Sequence, residues 1–243
     1  MPIRKLMFNY SPKQTTKMTR TVNLLILIIP LLVAAPGGLF AQEQWETVSN
    51  DNGVAIYSRK VIGQEDSEFK GITDINQPIE VMGAVSAEIP GYTGWFFKCR
   101  QARKIPAISS TAYNFMVYIA IDTPWPLWPR DIVYDVKIKI DMASGKVEVR
   151  SKAVPEPVVP IRKDHVRITD SELHWVLERI DTHRTRIIFI MRTDAGGSVS
   201  SYWSDLGCRK TIYHSLINLH RIAADPKYEA LGRKLVQDYT QSN

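Results

Sequence analysis

Tyr113-Asn-Phe-Met-Val-Tyr-Ile-Ala-Ile-Asp122, Tyr134-Asp-Val-Lys-Ile-Lys-Ile-Asp141 and Lys146-Val-Glu-Val-Arg-Ser-Lys-Ala153 share one pattern. Phe115, Val117, Ile119 and Ile121 alternate with Asn114, Met116, Tyr118 and Ala120. Tyr134, Val136, Ile138 and Ile140 alternate with Asp135, Lys137, Lys139 and Asp141, and beyond the turn at Ser144-Gly145 the alternation resumes from Val147. Successive side chains of a strand point to opposite faces, so these segments read as antiparallel strands with one dry and one wet face. Residues 166–171, 174–180 and 184–193 supply three more strands. Pro155, Pro157 and Pro160 mark a stiff connection between them, because proline cannot donate to a ladder.

Upstream, Asn50-Asp51-Asn52-Gly53 is a turn signal, and residues 54–61 and 67–75 read as two strands. Pro78 then opens a short helix with Ile79, Met82, Val85 and Ile89 at helical spacing. Pro90-Gly91 breaks it, and a second short helix is expected to carry Trp95, Phe96 and Cys99. Downstream, Ser198 can cap a long helix. Its stripe is Val199, Tyr202, Trp203, Leu206, Tyr213, Leu216 and Ile217, widened by Ile212, Leu219 and Ile222. Asp225-Pro226 starts a further helix or a kinked continuation, striped by Tyr228, Leu231, Leu235 and Tyr239. A dry sheet face and one wide-striped helix have an economical arrangement. It is an α+β grip, a curved antiparallel β-sheet wrapped around the long C-terminal helix, with two short helices after the first strands. Such a curl leaves room for an apolar cavity between sheet and helix.

The chain has 243 residues with 31 Lys+Arg and 25 Asp+Glu. Five of the basic residues (Arg4, Lys5, Lys13, Lys17 and Arg20) fall in the first 41 positions, which hold no acidic residue. The other 202 positions therefore carry 26 basic against 25 acidic side chains, too little excess to build a nucleic-acid surface. Residues 22–35 form an apolar run interrupted by Pro30, shorter than the roughly 20 residues of a membrane span. Basic residues precede it, and Ala41 before Gln42 offers a small residue for cleavage. Residues 1–41 are expected to be a signal peptide, with Met18 as the true start, and residues 42–243 an exported domain, periplasmic or secreted. Cys99 and Cys208 lack CxxC partners and read as buried small hydrophobes or as a single disulfide.

No GxSxG, HExxH, P-loop or GxGxxG segment is present. The five histidines are scattered, and His214 and His220 fall on different sides of a helix. No catalytic residue, metal site or cofactor is expected. The most unusual stretch is Pro124-Trp-Pro-Leu-Trp-Pro-Arg-Asp131, where three prolines in six positions fix the backbone around two tryptophans. It reads as a stiff corner packed on the core or as the rigid rim of an apolar pocket.

This segment resembles the Pro-Trp-Pro…Arg-Asp segment of the START family, the steroidogenic-acute-regulatory-related lipid-transfer domains of the helix-grip superfamily. Gly53-Val-Ala-Ile-Tyr-Ser-Arg59 is similar to that family's opening strand, Trp95 with Cys99 to its Trp-x-x-x-Cys helix, and Asp194-Ala-Gly-Gly197 to its Asp-Pro-Gly-Gly turn. Ala195 and Ser200 depart from prolines usual there. The resemblance covers nearly all of residues 44–240. It implies a lipid or sterol held between sheet and C-terminal helix, with that helix and a nearby loop as the gate. Phe115, Val117, Tyr134, Val136, Trp203, Leu206 and Tyr213 are then expected to line the cavity, with Trp125, Trp128 and Arg130 at its rim. A monomeric, non-enzymatic carrier making transient membrane contact is the leading expectation. An enzyme similar to the polyketide aromatase/cyclases of the same superfamily, and a ligand-sensing interaction module, stand as alternatives.

Overall fold

Strand-forming alternation and turn residues divide the chain as follows. β1 is Glu46–Asp51, β2 Val54–Arg59 and β3 Glu68–Ile75; α1 is Ile79–Ala87, followed by a 3-10 turn at Ile89–Gly94. β4 is Cys99–Ile105, β5 Asn114–Ile121, β6 Arg130–Asp141, β7 Lys146–Ala153, β8 Val166–Ile168, β9 Ser171–Arg179 and β10 Thr185–Thr193; the helices α2, Ser201–Ile222, and α3, Lys227–Ser242, close the chain. This computed structural model describes residues 44–106, 110–124 and 126–242; the expected signal peptide and Trp125 lie outside them.

The sheet runs in the order β1-β2-β3-β10-β9-β7-β6-β5-β4, with β8 attached to β6. Its neighbours along that path are all antiparallel, and only the β6–β8 pair is parallel. The α+β grip expected from the pattern is the architecture observed. Inner-face residues Phe115, Val117, Ile132, Tyr134, Leu173, Ile187 and Phe189 form the core with α1 and α2. One end of the sheet gathers the β5–β6, β7–β9 and β10–α2 connections. The other gathers the tight β6–β7 and β9–β10 turns and the β3–α1 junction.

The sequence expectations need correction in three places. Trp95 and Phe96 follow a 3-10 turn instead of riding a helix, and Cys99 begins β4. Lys98, at φ +59°, reverses the chain before a helix can extend. The outer face of β5 and β6 is not wet throughout, because Tyr118, Ala120 and Val133 form a second apolar cluster with Val154 and Val159 of the proline-rich connection. The face that α2 turns to the sheet is Ser204, Cys208, Thr211, Ile212, Ser215, Leu216 and Leu219, while Tyr202 and Trp203 are exposed. Small side chains bring the helix close. A Cβ on Gly71 of β3 would collide with Ile212 Cγ2 and stand 2.7 Å from Leu216 Cδ1.

The C-terminal helix is broken where the sequence placed Asp225-Pro226. The Asp225 carboxylate accepts from the Lys227 backbone N–H at 3.0 Å and caps α3. α3 then packs on α1, so closely that a Cβ on Gly232 would lie 2.9 Å from the Glu80 carbonyl carbon and oxygen. Tyr228 and Lys227 both donate to Glu88, at 2.6 and 3.2 Å, and the tyrosine's hydrogen bond, ahead of the lysine's, holds that carboxyl below its usual range.

Candidate functional site

A cavity of about 390 Å³ lies between the inner face of the sheet and the α1/α3 pair. That volume falls within the about 300–1,000 Å³ of small-molecule sites. β5 contributes Phe115, β6 Val136, Ile138 and Ile140, β7 Val147 and Val149, and β9 Trp175 and Leu177. These are alternate positions of their strands, so the pleat aims all of them inward. α1 adds Ile79, Gly83 and Ala87, α3 adds Leu235, Val236 and Tyr239, and Tyr92 and Trp95 form the inner end. Trp175 stacks on Phe189 at 3.7 Å and meets the edge of Trp95 at 5.5 Å.

Burial grades along β6 show where the cavity opens. Tyr134 and Val136 are buried, Ile138 and Ile140 half-buried, and Met142, at the tip of the β6–β7 turn, exposed. The mouth lies between that turn and α3. Charge is confined to it, where Glu80, Asp141, Lys146, Arg179 and Asp238 border the opening. Lys146 approaches Glu148 at 3.2 Å and Glu178 at 3.7 Å, and its hydrogen bond lowers the Glu148 pKa. Asp141 accepts from the Ala143 and Ser144 N–H groups at 3.1 Å, which fixes the turn; the Ser144 side chain first, and then these N–H groups, hold its carboxyl low. Deeper in, the Tyr92 hydroxyl donates to the Ser86 carbonyl at 2.8 Å, and burial pushes its pKa upward.

Of the residues named from sequence, Phe115 and Val136 stand in this wall. Val117 and Tyr134 share their face but lie further along the strands, in solid core; the Tyr134 hydroxyl is 2.8 Å from Ser171 Oγ. Arg130 is buried and donates to the Trp128 and Ala195 carbonyls, tying the proline-rich loop to the start of the α2 connection. Trp128 is exposed, as is Trp203; Leu206 and Tyr213 are half-buried, and Tyr213 accepts from Asn52 Nδ2 at 2.7 Å. None of these five borders the cavity. The reason is the rotation of α2 described above, together with the placement of the cavity at the opposite end of the sheet from the tryptophan loop. Sequence reasoning passed over Tyr92 and Trp175, and it named Trp95, Ile79, Leu235 and Tyr239 without placing them at a cavity. Gly83 and Gly232, two glycines on helix faces that meet a partner, were the available signal.

The rest of the motif chemistry is structural. Asp131, fully buried, accepts from Arg167 Nε at 2.7 Å and Nη2 at 3.1 Å and from the Tyr118 hydroxyl at 3.1 Å. His220 meets Thr73 at 2.9 Å, and His214 stacks on Phe97. Among the described residues no cluster of three or more His, Cys, Asp or Glu could hold a metal ion, and Cys99 and Cys208 are free and buried.

A ten-stranded sheet, antiparallel but for β8, gripping a C-terminal helical arm over an apolar cavity is the fold of the STAR-related lipid-transfer domains. The STAR-related lipid transfer protein of Xanthomonas axonopodis superposes with a TM-score of 0.66 at 24% identity, covering 74% of this chain and 98% of that one. Human STARD10 gives 0.67 at 18% identity over 80% of this chain and 78% of its own. Human StAR-related lipid transfer protein 5 gives 0.64 at 18% over 73% and 85%. An uncharacterised protein of Pseudomonas aeruginosa is 27% identical over 180 residues, 73% of this chain and 87% of its own. No protein-family profile matches the chain.

Proposed function

We propose that this protein binds a hydrophobic lipid or sterol in the cavity and carries it outside the cytoplasm, as a monomer and without catalysing a reaction. The observation that carries this reading is the cavity itself: apolar along its length, charged only at its mouth, and built into a fold shared with lipid-transfer proteins. Removing apolar ligand surface from water is favourable by about 25 cal/mol per Å², and it requires a dry container and no reactive group. Met142, Tyr113 and Leu235 are exposed apolar side chains around the opening, suited to brief contact with a membrane surface while cargo crosses. Export after cleavage at Ala41 would place the carrier in an aqueous space that a free lipid does not cross unaided.

Organic extraction of the protein purified from its host, followed by mass spectrometry, tests the reading. A stoichiometric lipid is expected from the wild-type protein and none from Val149→Trp, which fills the cavity from β7. An empty wild-type protein that also fails to take up any lipid from vesicles would overturn it.

A further inference from the structure

Trp95 is buried, at 3% exposure, in the inner wall of the cavity, and its indole N–H has no acceptor among the described residues. Buried donors are nearly always paired, so an orphan of this kind asks for a partner. Its surroundings supply none of adequate strength. Tyr92, Phe96 and Trp175 present rings to Trp95, and ring faces accept an N–H only weakly. The neighbouring Tyr92 hydroxyl donates its proton to the Ser86 carbonyl, and its oxygen accepts no hydrogen bond from Trp95 Nε1.

We infer that Trp95 Nε1 is the anchor for the innermost end of the ligand, donating a hydrogen bond to a neutral oxygen that the ligand carries there. This rests on the lipid-binding reading and narrows it. The ligand is an apolar chain or ring system bearing a hydroxyl or carbonyl at its buried end. A charged oxygen does not suit that position, since the cations that border the cavity, Lys146 and Arg179, stand at its mouth, and a buried charge without a partner is strongly disfavoured. The arrangement also sets direction. Oxygen enters first and the remaining apolar length lies along Val136, Val149 and Leu177 toward the opening. A site built around one donor discriminates against the analogue lacking the acceptor, because the donor is then left unpaired.

The test uses dodecanol and dodecane, which differ in one hydroxyl, on the purified protein. The indole ¹H–¹⁵N resonance of Trp95 is expected to move downfield with dodecanol and to stay with dodecane. In displacement of a fluorescent fatty-chain probe, Trp95→Phe, which keeps a ring in place, is expected to lose about tenfold in affinity for dodecanol and none for dodecane. The wild-type resonance decides the matter even if the variant fails to fold. Equal shifts with both ligands, or equal losses, would overturn the anchor while leaving lipid binding intact. A resonance already downfield in the ligand-free protein and unmoved by dodecanol would show that a water satisfies the donor, and would overturn it too. If a bound probe is displaced by neither compound, the anchor falls; if wild type does not take up the probe at all, the lipid-binding reading falls and the anchor with it.

Discussion

Gly71→Ala is the sharpest probe of how α2 is seated. The added methyl would overlap Ile212 Cγ2 and stand 2.7 Å from Leu216 Cδ1 and 3.3 Å from Ile56 Cδ1, and all three side chains are fully buried. Leu216 can swing its terminal methyl aside. Ile212 cannot, because its Cγ2 hangs directly from a β-carbon whose rotamer is locked in a helix. The strain is therefore relieved by moving the backbone of α2 or β3. Overpacking of this kind costs about 1–3 kcal/mol, and the loss of glycine's freedom in the unfolded chain returns about 0.4–1 kcal/mol. The net cost of about 1–2 kcal/mol corresponds to a Tm lower by about 2–8 °C for a domain of this size. Urea denaturation of Gly71→Ala, Ile212→Ala and the double variant measures it. Ile212→Ala alone is expected to cost about 2–5 kcal/mol, and the double variant to be more stable than the sum of the two by about 1 kcal/mol. A neutral Gly71→Ala, or full additivity, would refute the claim that small residues draw α2 onto β3.

Asp66, buried near Asp194 and Asp205, has its pKa raised, chiefly by burial and then by those two carboxylates. Between the ordinary value near 3.8 and the raised one, the folded protein keeps a proton that the unfolded chain releases, so stability falls as pH rises across that interval. Asp66→Asn is expected to remove this fall, and its stability relative to wild type should grow with pH in denaturant titrations; a pH-independent difference would contradict it. Asp131→Ala leaves the Arg167 guanidinium buried without its carboxylate and is expected to cost about 3–5 kcal/mol, read from the shift in urea midpoint. If α3 is the moving wall, cysteines at positions 83 and 235, where a Cβ on Gly83 would lie 3.3 Å from Leu235, should slow ligand exchange when cross-linked and restore it when released. Burial raises the native Cys99 and Cys208 thiols to about 11 and about 12, so a maleimide at neutral pH should spare them until the protein is unfolded.

The strands were legible where one face alone is dry. β6 and β7 alternate from Ile138 and Val147 because their outer face meets water, and the pattern survives without tertiary knowledge. β4 escaped notice because it is an edge strand, and Cys-Arg-Gln-Ala-Arg-Lys-Ile buries only Cys99 and Ala102. β1 was missed for the same reason, with no residue of Glu46–Asp51 buried. Leu216, Ile212 and Leu219 of the expected α2 stripe do seat in the core, but ranking side chains on hydrophobicity also placed Tyr202 and Trp203 there. The face that actually seats carries Ser204, Thr211 and Ser215, chosen for size, and leaves Trp203 outside. The cavity wall was half visible. Phe115 and Val136 follow from the pleat, whereas Leu235 and Tyr239 border the cavity because Asp225 restarts the helix and Gly232 lets it lie against α1.

The pairing of β3 with β10 has a consequence for how the chain acquires its structure. Ile75 sits opposite Thr185 and Phe69 opposite Met191, partners more than a hundred residues apart in sequence. A chain that emerges from its N-terminus, from a ribosome or through a membrane pore, presents β1, β2 and β3 long before the strand that completes them. Until residues 185–193 arrive, β3 shows a bare edge of unpaired amides, open to adventitious pairing with another chain. Closure of so distant a contact is slow, because loop entropy must be met before the contact rewards it. The N-terminal meander is accordingly no independent folding unit, and a fragment ending before Thr193 should be bound by holdase chaperones or lost to proteases.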